Sequence, residues 1–310
     1  MKLPRLLADQ VPLLVLVALC LTTAMLSDRF LTATNITNVL LQASVLAVVT
    51  IGMTYVIIGA GFDLSVGSVV ALSGCIAAEV MLSAGIAAGV AAGCVAGLVV
   101  GLVNGTVVAR FGVSPFIATM GMMVLIRGAV LLLTRGAPVT GEEGLPQAFL
   151  DFGTHRIAGI PALVLLALFL IAVFSWMLHR TPHGMRVFAV GGNREAAFLS
   201  GIDTRRITIS TYAVCGLTAG IAGVMLASRL QSGQPTAGEF YELTSIAAVV
   251  LGGAALYGGE GRLYKSMIGV LIMTVLANSL NLLAVDSYWQ RVAIGVVIIA
   301  AAAVDQIRRR

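Results

Sequence analysis

The chain has 310 residues, of which 59% are hydrophobic and only 11% charged, and its formal net charge is +5. A soluble domain of this length could not hide so much apolar surface, and the apolar runs are continuous rather than the short alternating segments of a membrane β-barrel. The basic excess forms no patch interleaved with aromatics, so nucleic acid is not an expected partner and the lipid bilayer is.

The spacing predicts an all-α polytopic membrane protein, one domain over 1–310. A crossing helix needs roughly 20 mostly apolar residues. Candidate spans fall at about 11–27, 36–60, 66–84, 86–109, 114–133, 159–178, 207–227, 244–258, 266–284 and 289–306, about ten in all. Lys2 and Arg5 before Val11–Met25 imitate a signal peptide, but no A-x-A cleavage site follows. The first run therefore reads as a membrane helix.

Between the second and third runs stands Gly59-Ala60-Gly61-Phe62-Asp63-Leu64-Ser65-Val66-Gly67-Ser68. Its glycines break the helices. Ser65 and Ser68 are placed to cap the next helix by accepting its free N–H groups, and Asp63 would lie at that helix's positive end. A capped hairpin explains the residues. An ionisable residue at a membrane helix break equally suggests a pathway or gate, with Gly61, Asp63, Ser65, Gly67 and Ser68 as its candidates.

In the fourth run Gly85, Gly89, Gly93, Gly97, Gly101 and Gly105 recur every four residues. That stripe predicts close packing against another helix. The stretch 134–158, polar, acidic and rich in Gly and Pro, is the longest loop predicted outside. It reads equally as a solvated connector and as a docking surface for an extracytoplasmic partner.

Arg180–Arg206 is the longest polar stretch predicted to face the cytoplasm, and it carries five arginines. Within it a Gly191-Gly192-Asn193 turn precedes a short amphipathic segment, Glu195-Ala196-Ala197-Phe198-Leu199-Ser200-Gly201. Further on, Gly253–Gly259 can be laid on Gly61–Gly67 with Gly, Leu and Gly matching, an internal repeat of the kind transporters use.

Lysine and arginine set the orientation. With the N-terminus inside, the inner loops hold Lys2, Arg5, Arg110, Arg180, Arg186, Arg194, Arg205, Arg206, Arg262, Lys265 and Arg308–Arg310. The outer ones keep Arg29, Arg135, Arg156 and Arg229 with most acids, among them Asp28, Glu142, Glu143, Asp151, Glu239, Glu242 and Asp286. Arg127 and Arg291 fall inside spans. An even span count leaves both termini in the cytoplasm.

Cys20, Cys75, Cys94 and Cys215 lie in apolar runs without a CxxC pair and read as buried free thiols. His155, His179 and His183 lack metal-ligand spacing, so no metal site is expected. No Walker A sequence, catalytic triad, HExxH or catalytic carboxylate pair can be assembled. No catalytic residue is assigned, and an enzyme is not expected.

GFDLSVGSVVALSG resembles the GIDLSVGS segment of permease subunits of ATP-binding-cassette (ABC) sugar importers of the ribose, xylose, arabinose and galactofuranose type. The likeness continues through NGTVVARFGVSPFIATMGMMVLIRG, GMRVFAVGGNREAAFLSGIDTRR and LGGAALYGGEGRLYKSMIGV. Phe62 stands where Ile is usual, and Tyr257 and Glu260 replace smaller or less polar residues. The resemblance implies a type II importer-like permease fold and a second permease chain, identical or related. It also implies an extracytoplasmic sugar-binding protein and a cytoplasmic ATPase that uses the ATP, with no cofactor in this chain.

Glu195–Gly201 is then similar to the E-A-A-x-x-x-G segment that enters the ATPase, though the proline-containing continuation is absent. Arg186, Gly191, Gly192, Asn193, Glu195, Ala196, Ala197, Phe198 and Gly201 become the coupling candidates. A monosaccharide is the implied cargo and the bacterial inner membrane the implied location. Permeases for nucleosides, branched-chain amino acids or an autoinducer sugar are the neighbouring alternatives. An ion-coupled secondary transporter fits less well, because Asp63 and Glu79 are the only acids close to the early spans and both are expected near interfaces.

Overall fold

The computed structural model describes residues 5–141 and 143–308, apart from the side chains of a few residues near the two ends. Lys2, Glu142, Arg309 and Arg310 of the charge assignment lie outside the described residues. The chain is helical nearly throughout: α1 Arg5–Leu26, α2 Ala33–Ile58, α3 Val66–Ala84, α4 Ile86–Phe111, α5 Pro115–Thr134, α6 Gln147–Thr154, α7 Ala162–Arg180, α8 Pro182–Gly192, α9 Arg194–Leu199, α10 Thr204–Leu230, α11 Tyr241–Leu251, α12 Leu263–Leu282 and α13 Ser287–Arg308. Two short antiparallel strands, β1 Arg156–Ile157 and β2 Ile160–Pro161, form a small hairpin before α7.

Among the described residues, seven helices are long and apolar enough to cross a membrane: α2, α3, α4, α5, α7, α10 and α12. Shorter apolar stretches occupy Gln10–Leu26, Tyr241–Leu251 and Tyr288–Ala300. The run predicted at 244–258 is not one helix. α11 ends at Leu251, and Gly253 with φ 84° turns the chain away.

α2 is the axis of the bundle. Val45, Val48, Ile51, Met53, Tyr55, Ile57 and Ile58 are fully enclosed, and the Tyr55 hydroxyl donates to the Phe174 carbonyl of α7 at 2.7 Å. A helix apolar on every face belongs in the interior, where it has no polar side to show.

The glycine stripe of α4 packs as the spacing predicts. A Cβ on Gly97 would strike Gly216 and Gly220 of α10, one on Gly101 would strike Tyr212 and Gly216, and one on Gly105 would strike Ile209. The α10 numbers fall as the α4 numbers rise, so the two helices run antiparallel with their backbones touching. In a membrane such contact supplies the dispersion and weak C–H···O attraction that replaces hydrophobic driving force. Gly85 is not part of the stripe: it sits between α3 and α4 with φ 83° and open space beside it.

The connector at 134–158 is more ordered than its composition suggests. Val139 pairs with Gly233 by two backbone bonds, at 2.8 and 2.9 Å. α6 docks on α10 through the Ser228 hydroxyl, which donates to the Phe149 carbonyl at 2.6 Å.

Candidate functional site

Two features expected to carry function are close neighbours. The first is the break after α2. Gly59 closes the helix, Ala60 takes a left-handed φ of 61°, and the Gly61 N–H donates back to Val56. Asp63 follows, only 1% exposed. Its Oδ1 accepts the Ser65 backbone N–H at 2.9 Å and the Ser65 hydroxyl at 2.6 Å.

Asn104 of α4 donates its Nδ2 to Ser65 Oγ at 2.9 Å and lies 3.4–3.5 Å from the Asp63 carboxylate. Thr119 of α5 accepts the Leu64 N–H at 3.0 Å, and the Tyr212 hydroxyl of α10 donates to the Phe62 carbonyl at 2.9 Å. Asp63 therefore lies just before the start of α3, where it takes the Ser65 N–H and not the free N–H groups of the helix itself.

The serines do not cap. The Ser65 hydroxyl donates to Asp63, and the Ser68 hydroxyl donates to the Ser65 carbonyl at 2.8 Å. The Ser65 oxygen is held between the Asp63 carboxylate, to which it donates, and Asn104, from which it accepts, and makes no bond to the helix N–H groups; Ser68 lies inside α3 and not before it. Gly61 lies against Tyr212, and Gly67 against Gly238 and Glu242. The group is an enclosed network joining α2, α3, α4, α5 and α10. It does not bring Asp63 to an open wall.

The second feature is the polar stretch after α7. It folds into two helices rather than a loop. Thr181 caps α8 by accepting the Gly184 N–H at 3.3 Å, and Asn193 caps α9 by accepting the Ala196 N–H at 2.9 Å. Gly201, with φ 82°, ends α9; its N–H donates to Phe198, and the Ile202 N–H donates to Ala197. This glycine-terminated ending is the exit the sequence suggested.

Arg186, Glu195 and Ala196 are exposed. Phe198 is 66% and Leu199 79% exposed, so α9 presents an apolar tip. Ala197 faces the other way, buried in the main core, and offers no surface to a partner. His183 on α8 is partly covered; burial, then the nearby Arg186, lowers its imidazole pKa below the usual range.

The two features meet at glycines. A Cβ on Gly191 would fall on the Ile58 carbonyl, and one on Gly258 would meet Ala60 at 2.7 Å. Gly259, in the turn between α11 and α12, would meet Gly192 at 2.6 Å. The root of α9 thus sits in backbone contact with Ile58, just before the first turn, and with Gly258–Gly259 of the second, and Gly258 in turn meets Ala60. These are the turns that the weak internal repeat brought to notice. Conformational freedom matters here: Gly258 and Gly259 have φ of 91° and 74°, which side-chained residues adopt at a cost.

A third arrangement escaped sequence reading. Gly74 of α3 lies on Gly223 of α10, and Tyr212 reaches Phe62, so α3 starts level with the middle of α10. α11 starts there too, since Gly238 packs on Gly67. Glu242, expected in an outer loop, is in the first turn of α11 with its carboxylate against Gly67. Two helix starts meeting inside a bundle are a mark of transporter interiors. The signal that could have found them is Arg127, a lone cation in an apolar run, which donates to the Pro235 and Ala237 carbonyls of the segment before α11.

The family model described as "Branched-chain amino acid transport system / permease component" matches residues 35–302. The chain is 44% identical over 301 residues to the ribose import permease protein RbsC of Escherichia coli strain K12, covering 96% of this chain and 94% of that protein. It is 35% identical over 283 residues to the D-allose transport system permease protein AlsC of the same strain, covering 90% and 86%. To the fructose import permease protein FrcC of Rhizobium meliloti it is 35% identical over 308 residues, covering 97% and 86%. No solved structure matches. The chain belongs to this permease family and is the integral membrane subunit of an ABC importer, in which a separate component hydrolyses ATP.

Proposed function

We propose that the chain moves a monosaccharide inward, a pentose such as ribose or a related hexose, as half of the membrane pathway of an ATP-driven importer. The names of the relatives, ribose, allose and fructose permeases, support the sugar class, and the higher identity to the ribose protein favours a pentose. A cytoplasmic ATPase, an extracytoplasmic sugar-binding protein and a second permease chain complete the machine. The chain needs no cofactor, because ATP binds the ATPase.

Seven long spans, the apolar parts of α1 and α13, and α11 together with the irregular segment Gln231–Phe240 before it make ten crossings, with both termini and α8–α9 on the cytoplasmic face. One observation carries the coupling assignment. α9 exposes Phe198 and Leu199 at its tip, while Gly191 at its root is buried on the Ile58 carbonyl. A push on the tip is delivered to the turn at Gly59–Ser65, and the buried Asp63 network makes that turn move as one body. Gly61, Asp63, Ser65, Gly67 and Ser68 form the gate element in this sense: they transmit displacement and do not touch the sugar. ATP binding shifts the access equilibrium only by its different affinity for the two states.

The test is reconstitution in liposomes with the ATPase and the binding protein, measuring uptake of labelled ribose with allose and fructose as competitors. ATP-dependent uptake of a monosaccharide is expected. Sugar movement by the chain alone down an ion gradient would overturn the importer reading. Uptake of a nucleoside, a branched-chain amino acid or an autoinducer sugar, with no transport of these monosaccharides, would overturn the cargo alone.

A further inference from the structure

From Gln231 to Phe240, between α10 and α11, the backbone is not helical, yet Ser232, Gly233, Pro235 and Gly238 are buried. Irregular backbone at membrane depth needs protein partners for its carbonyls, because lipid offers none. α5 supplies them for two. Arg127 donates from Nη1 to the Pro235 carbonyl at 2.6 Å and to the Ala237 carbonyl at 3.1 Å, and from Nη2 to Ala237 at 3.1 Å. A cation in the middle of an apolar span is costly to keep, and a neutral amide could satisfy a carbonyl as well. The planar fork adds direction: donors held in one plane fix how the segment lies against α5.

The end of the segment has a second cationic contact. Arg291 of α13 stands over the Phe240 ring, 5.1 Å from its centroid, and Phe240 has a left-handed φ of 64°. Between the two arginines lies Gly238, with φ 71°, on the first turn of α3. The lie of this segment therefore decides where the starts of α3 and α11 meet.

We infer that Arg127 is a positioning residue for transport. By holding the Pro235 and Ala237 carbonyls it sets the junction of α3 with α11, and with it the shape that the interior must change during the transport cycle. The inference rests on the transport reading above.

Arg127→Lys is the informative variant, because lysine keeps the charge and loses the fork. The assembled complex of permease, ATPase and binding protein is measured per mole. ATP hydrolysis is expected to stay within about twofold of wild type while ribose uptake falls on the order of tenfold, the loss of one charge-assisted contact. Uptake and hydrolysis both equal to wild type would show that only the charge is used and would overturn the inference. Failure of Arg127→Lys to assemble would assign the residue to folding alone and overturn it too.

A second readout does not depend on the cargo. Ala237→Cys is labelled with a water-soluble maleimide, once in the otherwise native complex and once combined with Arg127→Lys, the native cysteines giving the baseline. The freed segment is expected to react about tenfold faster. An unchanged rate overturns the positioning role. Faster labelling in a complex that takes up no sugar would leave it standing and reject the cargo instead.

Discussion

Gly259 donates its backbone N–H to the Ile58 carbonyl oxygen at 2.8 Å. That bond ties the turn after α11 to the last residue of α2, and Gly191 at the end of α8 lies on the same carbonyl. Three segments remote in sequence share one backbone atom, with no side chain between them. A helix displaced at α9 therefore has no soft layer in which its movement can be absorbed.

Gly191→Val tests this contact. Its Cβ would land on the Ile58 carbonyl, which no rotamer can relieve. Overpacking of this kind costs about 1–3 kcal/mol. The melting midpoint in detergent should drop and transport per assembled complex should fall. Gly192→Ala is the control: its nearest neighbour would be 3.9 Å away, so it should behave as wild type. Equal midpoints for the two variants would dismiss the contact.

Asn104→Leu should loosen the turn from a distance. Asn104 supplies the hydrogen bond to Ser65 Oγ and a side-chain amide 3.4 Å from the Asp63 carboxylate. Its removal leaves buried acceptors short of a donor, a loss of about 1–3 kcal/mol. Asn104→Asp should be worse, because it sets a second carboxylate beside a buried first one. Thermal unfolding of the solubilised permease ranks the three proteins; Asn104→Asp matching wild type would contradict the network.

How far the sequence reached depended on whether the cause was local. The α4 stripe was legible because a four-residue glycine period has one physical use in a membrane helix, close approach, and the contacts with Gly216 and Gly220 follow from it. The ends of α9 were legible for the same reason, since Asn193 and Gly201 do their work within a few residues. The start of α11 was not. Nothing between Ser232 and Phe240 announces that it lies inside the bundle, and the carbonyls that Arg127 binds carry no sequence signature. The Ser65 and Ser68 assignment failed because capping residues also have neighbours: the Ser65 hydroxyl is engaged by Asp63 and Asn104, and Ser68 lies inside α3. Ala197 looked like a partner contact from its motif, while its position opposite Phe198 on α9 turns it inward.

Acid should weaken the α8 region. The His183 pKa is lowered in the fold by burial and by Arg186. The unfolded chain then takes up a proton first as pH falls through the ordinary histidine value of about 6.5. Stability is complete above that value, declines as pH drops below it, and levels off beneath the lowered folded pKa. His183→Gln should flatten the decline in melting midpoint between about pH 7.5 and 5.5. An identical pH profile in the variant would remove His183 as its source.

Helix approach can be separated from glycine content by two substitutions. Gly101→Ala would place a methyl against the Tyr212 carbonyl and 3.0 Å from the Gly216 Cα. Gly121→Ala on α5 meets nothing within 4 Å. The first should lower the midpoint by an overpacking cost of about 1–3 kcal/mol, and the second should not lower it. Equal losses would mean that glycine is needed for backbone freedom and not for contact.

The exposed tip of α9 is the place to ask whether the ATPase binds there. Phe198→Asp and Leu199→Asp alter side chains that the permease itself leaves uncovered, so folding and membrane insertion should be unaffected. If the tip fills a cleft in the ATPase, each replacement puts a charge into an apolar contact. The loss expected for a buried aromatic anchor is at least about 2 kcal/mol, near thirtyfold in affinity. Glu195→Arg should add to it by reversing a charge one turn away. A tryptophan in place of Ala197 would not be a clean test, since that methyl is inside the core and its enlargement would unseat α9 from its own protein. Co-purification of the tagged ATPase with each variant, at constant permease yield, gives the answer. Retention of the ATPase by both Phe198→Asp and Leu199→Asp would move the coupling contact to the Arg186 face of α8, the other exposed part of the segment.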